Sequence, residues 1–257
     1  MGDMNLLEAM KARHAIRAYT DEAVDGRSLD AIQAEIDAIN MESGLHFQMA
    51  SGLDDAFLGL KTHYGRFKDV HNAVALIGRP VPPDETVTGW HADTAQDEAA
   101  TDPAEIALQE KVGYYGERLA LRIVQLGLQI SWSVLDDAGE APDAWWTLDA
   151  GEKIVWVLAF GHGARPGGKH RTKPMEQLCS VPDGMELEDA PEWFRNGMSA
   201  AMLAPTSLSQ QPFIFTLNDD GSVRAEVTDG LFAHVGLGTA KYHFEIGAGR
   251  DNVRWEA

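Results

Sequence analysis

Ten of the 21 basic residues in this 257-residue chain crowd into three short windows: Lys11, Arg13 and Arg17; Lys61, Arg66 and Lys68; and Arg165, Lys169, Arg171 and Lys173. Within those windows (11–17, 61–71 and 165–173) Asp69 is the only acidic residue, although the chain carries 40 acidic residues and a formal net charge of −19. Guanidinium and ammonium groups gathered at one place hold the oxygens of a phosphate ester through charge-assisted hydrogen bonds. Two readings are open at this point. The windows converge into one cationic pocket for a small phosphorylated molecule, or they form three separate solvated patches, because closeness in sequence does not establish closeness in space. The common alternatives lose their usual signatures: no GxGxxG opens a helix, and there is no GxxxxGKS/T, HExxH or GxSxG. His63, His71, His91, His162, His170, His234 and His243 share no ligand spacing, so no metal role is expected of them.

The same charge balance bounds the partners. A chain this acidic repels a phosphate backbone or an anionic lipid surface, so neither nucleic acid nor a membrane is expected to bind it. No run approaches the ~20 apolar residues of a membrane span, and the first 17 residues mix charged with apolar positions. The single cysteine, Cys179, cannot close an internal disulfide, which fits a reducing compartment and a cytoplasmic location.

The elements that must position these residues follow from periodicity. Leu6, Leu7, Met10 and Ile16 predict a short helix that ends near Ala18. A second helix is expected over 28–39, with Ser28 as its N-cap and Leu29, Ile32, Ile36 and Ile39 on one face. Residues 72–78 read as a strand, 82–105 as a long acidic loop around Trp90 that suits a lid, and 106–130 as the clearest helix. The apolar run 153–161 predicts a strand covered on both faces, with the basic loop following it directly. Beyond an acidic linker come a helix over 192–204, strands over 212–217 and 222–227 joined by Asn218-Asp219-Asp220-Gly221, and a last helix over 231–246. Trp145, Trp146 and Trp156 are expected to pack in a core. Mixed helices and strands without regular βαβ alternation predict an α+β fold, a mixed or antiparallel sheet flanked by helices.

Several segments, taken in order, resemble the FMN-dependent nitroreductases. Arg13-His14-Ala15-Ile16-Arg17-Ala18-Tyr19 is similar to the family's opening Arg-Arg/His-Ser-x-Arg/Lys-x-Phe/Tyr, with Ala15 in place of the serine. Gly113-Tyr114-Tyr115-Gly116-Glu117, leading into Leu126-Gly127-Leu128-Gln129-Ile130-Ser131-Trp132, resembles the passage in which a helix ends and the backbone turns toward the flavin, which would put Ser133, Val134 and Leu135 at that turn. Lys169-His170-Arg171-Thr172-Lys173-Pro174-Met175-Glu176 resembles the basic segment that grips the FMN phosphate, so Lys169, Arg171 and Lys173 are all candidates. The family's Pro-Ser-x-x-Asn-x-Gln-Pro, which normally follows the opening motif by one helix, is matched instead at Pro205-Thr206-Ser207-Leu208-Ser209-Gln210-Gln211-Pro212. In ordinary members this segment reaches the flavin from the neighbouring subunit. The resemblance therefore implies the branch in which two nitroreductase-like halves are fused in one chain: residues 1–180 as the first half, and 181–257 as a shorter second half that supplies the partner-side segment. His63-Tyr64-Gly65-Arg66-Phe67-Lys68 and Lys241-Tyr242-His243-Phe244-Glu245 look like the same branch.

The resemblance implies a nitroreductase-like fold built as an internal pseudo-dimer, either a monomer or a weak homo-oligomer. It also implies FMN as cofactor and NAD(P)H as co-substrate, with hydride passing through flavin N5 to a nitroaromatic, quinone or similar organic acceptor. Arg13, His14, Lys169, Arg171 and Lys173 would neutralise the phosphate, and Arg17 and Lys68 would stand near the N1/O2 edge; Ala15, Ser133, Val134, Leu135, Pro205, Thr206, Ser207 and Ser209 would line the flavin. Ala15, Thr206 and Ser209 stand where the family carries Ser, Ser and Asn, which shortens the hydrogen-bonding set. That motivates an alternative: a degenerate member that holds flavin or another phosphate-bearing ligand without turnover. A third reading, a structural or interaction protein, follows if the basic windows never meet.

Overall fold

The computed structural model describes residues 4–63, 65–81 and 102–256. The expected lid around Trp90 lies outside the described residues. The chain divides into two compact units, Met1–Arg79 with Arg118–Lys169, and Pro80–Glu117 with His170–Ala257.

The first unit is built on a four-stranded antiparallel sheet in the order β1-β2-β4-β3, from β1 (Gln48–Ala50), β2 (Ala73–Gly78), β3 (Gln129–Ser133) and β4 (Lys153–Gly161). β4 has the bounds that its apolar run predicts. Alternation sends Ala73, Ala75, Ile77, Val157 and Ala159 to one face, where they pack with Ile16, Tyr19, Phe57, Val70 and Trp146. Trp145 borders that cluster and donates its indole N–H to the carbonyl of Ala56 at 3.0 Å, and Trp156 is buried.

Several element ends differ from the sequence expectations by a few residues, and three of them have a local reason. Helix α1 (Leu6–Ala12) stops at Arg13, whose extended backbone starts a stretch that pairs with other strands instead of with itself. Helix α2 (Gly26–Ser43) begins three residues earlier than Ser28 would set it: Asp25 is the N-cap, accepting from the amides of Arg27 and Ser28, while the Ser28 hydroxyl donates to the same carboxylate at 2.6 Å. Helix α3 (Pro103–Gln125) ends five residues before Ile130. Gly127, at φ +85°, turns the chain, and Ile130 enters β3 opposite Phe160.

The second unit holds a three-stranded sheet, β5 (Cys179–Ser180), β6 (Phe213–Leu217) and β7 (Val223–Val227), parallel between β5 and β6 and antiparallel between β6 and β7. Helices α4 (Glu192–Ala201) and α5 (Ala233–Ala248) share its core with Phe194, Phe213, Phe215 and Phe244. The rings of Phe215 and Phe244 stack at 4.9 Å. Helix α5 is buried on nearly all sides, unlike the usual surface helix with one apolar stripe. Its small residues admit α3 to backbone contact: a Cβ placed on Gly113 would lie 2.1 Å from the carbonyl oxygen of Val235, and one on Gly238 2.0 Å from that of Glu110. The same crossing carries three polar pairs. Glu110, Tyr114 and Glu117, at helical spacing on α3, meet Lys241, Glu245 and His243 of α5. Among the described residues, no helix is long and apolar enough to cross a membrane.

Candidate functional site

The opening motif does not lie on a helix. Residues 13–20 run extended through the first unit and meet both other basic windows by main-chain pairing. The amide of Ile16 donates to the carbonyl of Ile130 at 3.0 Å, so Ala15 lies against β3. The amide of Lys68 donates to Arg17 at 2.9 Å, and that of Tyr19 donates to Lys68 at 3.2 Å. On the far side Thr20 donates to His162 and Ala164 to Ala18, each at 2.8–2.9 Å. Main chain from the first window thus pairs with Lys68 of the second and with the loop that opens the third.

Two glycines show how closely these segments approach one another. A Cβ on Gly167 would lie 2.1 Å from the Cβ of His14, and one on Gly65 2.7 Å from Nε of Arg17. The loop carrying Lys169 therefore runs over His14 with no room for a side chain. Arg17 also lies over the ring of Phe67, 6.0 Å from its centroid. Arg13 is buried; Arg17, Lys68 and Lys169 are exposed, leaving their charges available to a ligand. Tyr19 serves as the anchor: its hydroxyl lies 2.7 Å from the carbonyl of Ile16 and 3.0 Å from that of Ala159, and burial pushes its phenol far above the ordinary value despite the opposing charge of Arg17.

Ser133, Val134 and Leu135 stand differently from expectation. Ser133 closes β3, and the two residues beyond it form no tight turn: they stay extended, with the amide of His63 donating to the carbonyl of Val134 and Leu135 bridged to Thr62. The preceding helix ends earlier, at Gln125, and the chain turns at Gly127. The 133–135 stretch still borders the second basic window, because Asp136 donates its amide to Lys61.

The other candidates, Arg171, Lys173, Pro205, Thr206, Ser207 and Ser209, belong to the second unit. Residues 206–211 form a strained turn in which Leu208, Ser209 and Gln211 all adopt left-handed backbone (φ 51°, 56° and 47°) without being glycine. Thr239 holds its start by donating its hydroxyl to the carbonyl of Pro205 at 2.8 Å, and the amide of Leu231 holds its end through the side chain of Gln210 at 2.9 Å. The Thr206 hydroxyl accepts the amide of Gln211 at 3.0 Å.

Two other groupings are explained by structure alone. His46, Asp149 and Glu152 bring potential ligand atoms within 4.8 Å of one another. Gln48 is fixed because its side-chain oxygen accepts from Thr147, so its NH₂ faces Nε2 of His46 at 3.2 Å and makes that nitrogen an acceptor. Nδ1 then carries the proton and donates to Glu152 at 2.9 Å, which leaves the ring's lone pair already engaged and the cluster a latch rather than a ligand set. Burial acts to raise the Glu152 pKa, but the bonds from His46 and the Asp149 amide, with the charge of Arg79, hold it below the ordinary value. A depressed carboxylate stabilises the fold above the unfolded value of ~4.3 and stops doing so as pH falls through the folded one. Glu152→Gln is therefore expected to lower Tm by about 3 °C at pH 7, for roughly 1 kcal/mol, and by progressively less as the pH is taken below ~4.3 toward 3. Thermal melts at the two pH values check this, and a gap of equal size in acid overturns it. The Cys179 thiol, pushed up to about 11 by burial and the nearby Glu176, is a packed core group.

Comparison with known proteins agrees with the motif order. A family described as "Putative TM nitroreductase" matches residues 5–95 and 99–248. No curated protein matches the chain. Among solved structures, a "putative nitroreductase" from Thermotoga maritima is 15% identical and aligns over 98% of this chain and 86% of its own, with a TM-score of 0.61. A nitroreductase family protein from Streptococcus pneumoniae, also 15% identical, aligns over 68% of this chain and 98% of its own with a TM-score of 0.50. At these identities the likeness is one of fold, and it bears out the α+β, nitroreductase-like architecture. The match over most of the chain shows more: this protein belongs to that nitroreductase family.

Proposed function

We propose that the chain is a cytoplasmic FMN-dependent oxidoreductase that accepts reducing equivalents from NAD(P)H and delivers them to a nitroaromatic, quinone or similar flat organic acceptor. The observation that carries this reading is the convergence, in an otherwise strongly acidic protein, of residues 13–17, 66–68 and 162–169 on one cationic surface. The residues suit the group: Arg17, Lys68, Arg165 and Lys169 are exposed, and exposed cations are what a phosphate-bearing cofactor requires. FMN, when bound, supplies the hydride chemistry itself, which needs no side-chain nucleophile.

What this chain's residues contribute is binding and electrostatics. Arg13, His14 and Lys169 neutralise phosphate charge, and Arg17 with Lys68, linked by one main-chain hydrogen bond, favours negative charge developing near them. Ala15 and the 133–135 stretch offer main chain along the same strand edge. On sequence grounds Arg171 and Lys173 add further phosphate contacts, and Pro205, Thr206, Ser207 and Ser209 take the part played in ordinary members by the neighbouring subunit. In this proposal residues 1–180 and 181–257 form a pseudo-dimer that acts as a monomer or weak homo-oligomer.

Purified protein should be yellow and release FMN, and NAD(P)H should bleach the colour. Arg13→Ala combined with Arg171→Ala should cost at least a hundredfold in FMN affinity, about 1.4 kcal/mol for each of two tenfold losses, with an unchanged circular dichroism spectrum. Retained flavin in that folded double variant would show that the phosphate is placed wrongly. One observation favours a second reading, flavin binding without turnover: Ala15 supplies no hydroxyl, and the Thr206 hydroxyl is already an acceptor for Gln211. A yellow protein whose spectrum ignores both NADH and NADPH would favour it.

A further inference from the structure

We infer that Gln211 is a positioning residue that fixes the phosphate-binding cations of the second unit relative to the 206–209 turn; this rests on the FMN reading above. Gln211 is 2% exposed and makes four hydrogen bonds, using every polar group it has. Its side-chain oxygen accepts the amide of Lys173 at 2.6 Å, and its NH₂ donates to the carbonyl of Met202, just past α4, at 3.0 Å. Its own amide donates to the Thr206 hydroxyl at 3.0 Å, and its carbonyl accepts from Nζ of Lys173 at 3.2 Å. One side chain thus ties the basic segment, the turn and the end of a helix to one another.

The chemistry suits glutamine and little else. The site asks for an acceptor toward Lys173 and a donor toward Met202 at opposite corners of one planar group, which an amide provides. A carboxylate would set an acceptor against the Met202 carbonyl, and an aliphatic side chain would leave two part-buried main-chain groups without this partner. The left-handed backbone at Gln211 (φ 47°) is a cost that persists only where surrounding bonds over-determine it. Two of those four bonds go to Lys173, in the segment that also carries Arg171. Lys173 Nζ, with one hydrogen given to Gln211, keeps two for a phosphate. The turn is tied to the same glutamine through the Thr206 hydroxyl. The ligand feature read through Gln211 is accordingly the phosphate rather than the ring system.

The test compares FMN with riboflavin, which lacks only the phosphate, by titration into flavin-free protein. Wild type is expected to prefer FMN strongly. Gln211→Leu should reduce the FMN-to-riboflavin affinity ratio at least tenfold and leave riboflavin affinity within about twofold, and Lys173→Met should reduce the ratio in the same direction. Gln211→Glu, which keeps the volume and the acceptor toward Lys173, serves where the leucine variant does not fold, and should reduce the ratio at least fivefold. A folded variant that binds both flavins less tightly by the same factor overturns the inference, as does failure of both Gln211 variants to fold, which would make the residue a purely architectural one. Wild type that binds neither flavin refutes the underlying FMN reading instead.

Discussion

Gly238→Ala should leave no stably folded second unit, and Gly113→Ala should do the same. In each case the added Cβ would sit about 2 Å from a carbonyl oxygen of the facing helix, and a backbone atom cannot rotate out of the way as a side chain can. Relief requires α3 and α5 to separate along their length, undoing contacts on both sides of the crossing. Overpacking of a tight core commonly costs about 1–3 kcal/mol where side chains can adjust; here the expected loss is at the upper end or beyond. Gly26→Ala, in open space at the start of α2, is the matched control and should be neutral or stabilising by up to ~1 kcal/mol. Soluble yield, circular dichroism and urea denaturation of the three variants decide it. A Gly238→Ala protein within 1 kcal/mol of wild type would show that the helices do not touch as described.

Nearly as large an effect is expected from the ion pair of the same crossing. Glu117 and His243 have fully buried side chains, 2.8 Å apart, and the other ring nitrogen of His243 faces the carbonyl of Ala200 at 3.0 Å. Nδ1 must therefore carry a proton, so the pair holds a proton between Nε2 and the carboxylate, and neither partner can be removed without stranding the other in a medium that solvates charge poorly. Glu117→Ala and His243→Ala should each cost about 3–5 kcal/mol. The double variant should cost clearly less than their sum, because the second deletion removes the group that the first left stranded. Losses that simply add would mean that the two side chains do not act as a pair. Lys241 and Glu110, also buried and in contact, predict the same pattern, and replacing both by Met and Leu should recover much of the single-variant loss.

How much of this could be read before the fold was known depends on whether the signal was local. The run at 153–161 and the Asn218-Asp219-Asp220-Gly221 reversal carry their structure in adjacent residues, and β4 and the β6–β7 hairpin sit there. The end of α3 was hidden because Ile130 continues the helical spacing of Ile123 and Leu126, although Gly127 marks the break. Residues 13–20 look helical by composition and are extended because their partners, Ile130, Lys68 and Gly163, are remote. The close approach of these segments had a visible trace in Gly65 and Gly167, each placed where a side chain of the opening motif presses in, but only the fold shows which one. Glu117 and His243 were missed because polar residues on a helix read as solvated, and nothing local reveals a partner 126 residues away. Gln211 stood within the recognised 205–212 motif, yet its role lies in bonds to Lys173 and Met202 that no spacing rule predicts.

The division of the chain also has a consequence for biosynthesis. The second unit takes residues from both sides of Arg118–Lys169, so Glu110 must wait for Lys241, 131 positions later. At about 5–20 residues per second, a ribosome leaves that part of α3 uncovered for on the order of ten seconds. During that interval its tyrosines, acids and bare glycine face have no mate. Such a nascent stretch invites chaperone capture, and dilution of denatured protein from urea should regain the second unit slowly, through long-range closure rather than local coiling.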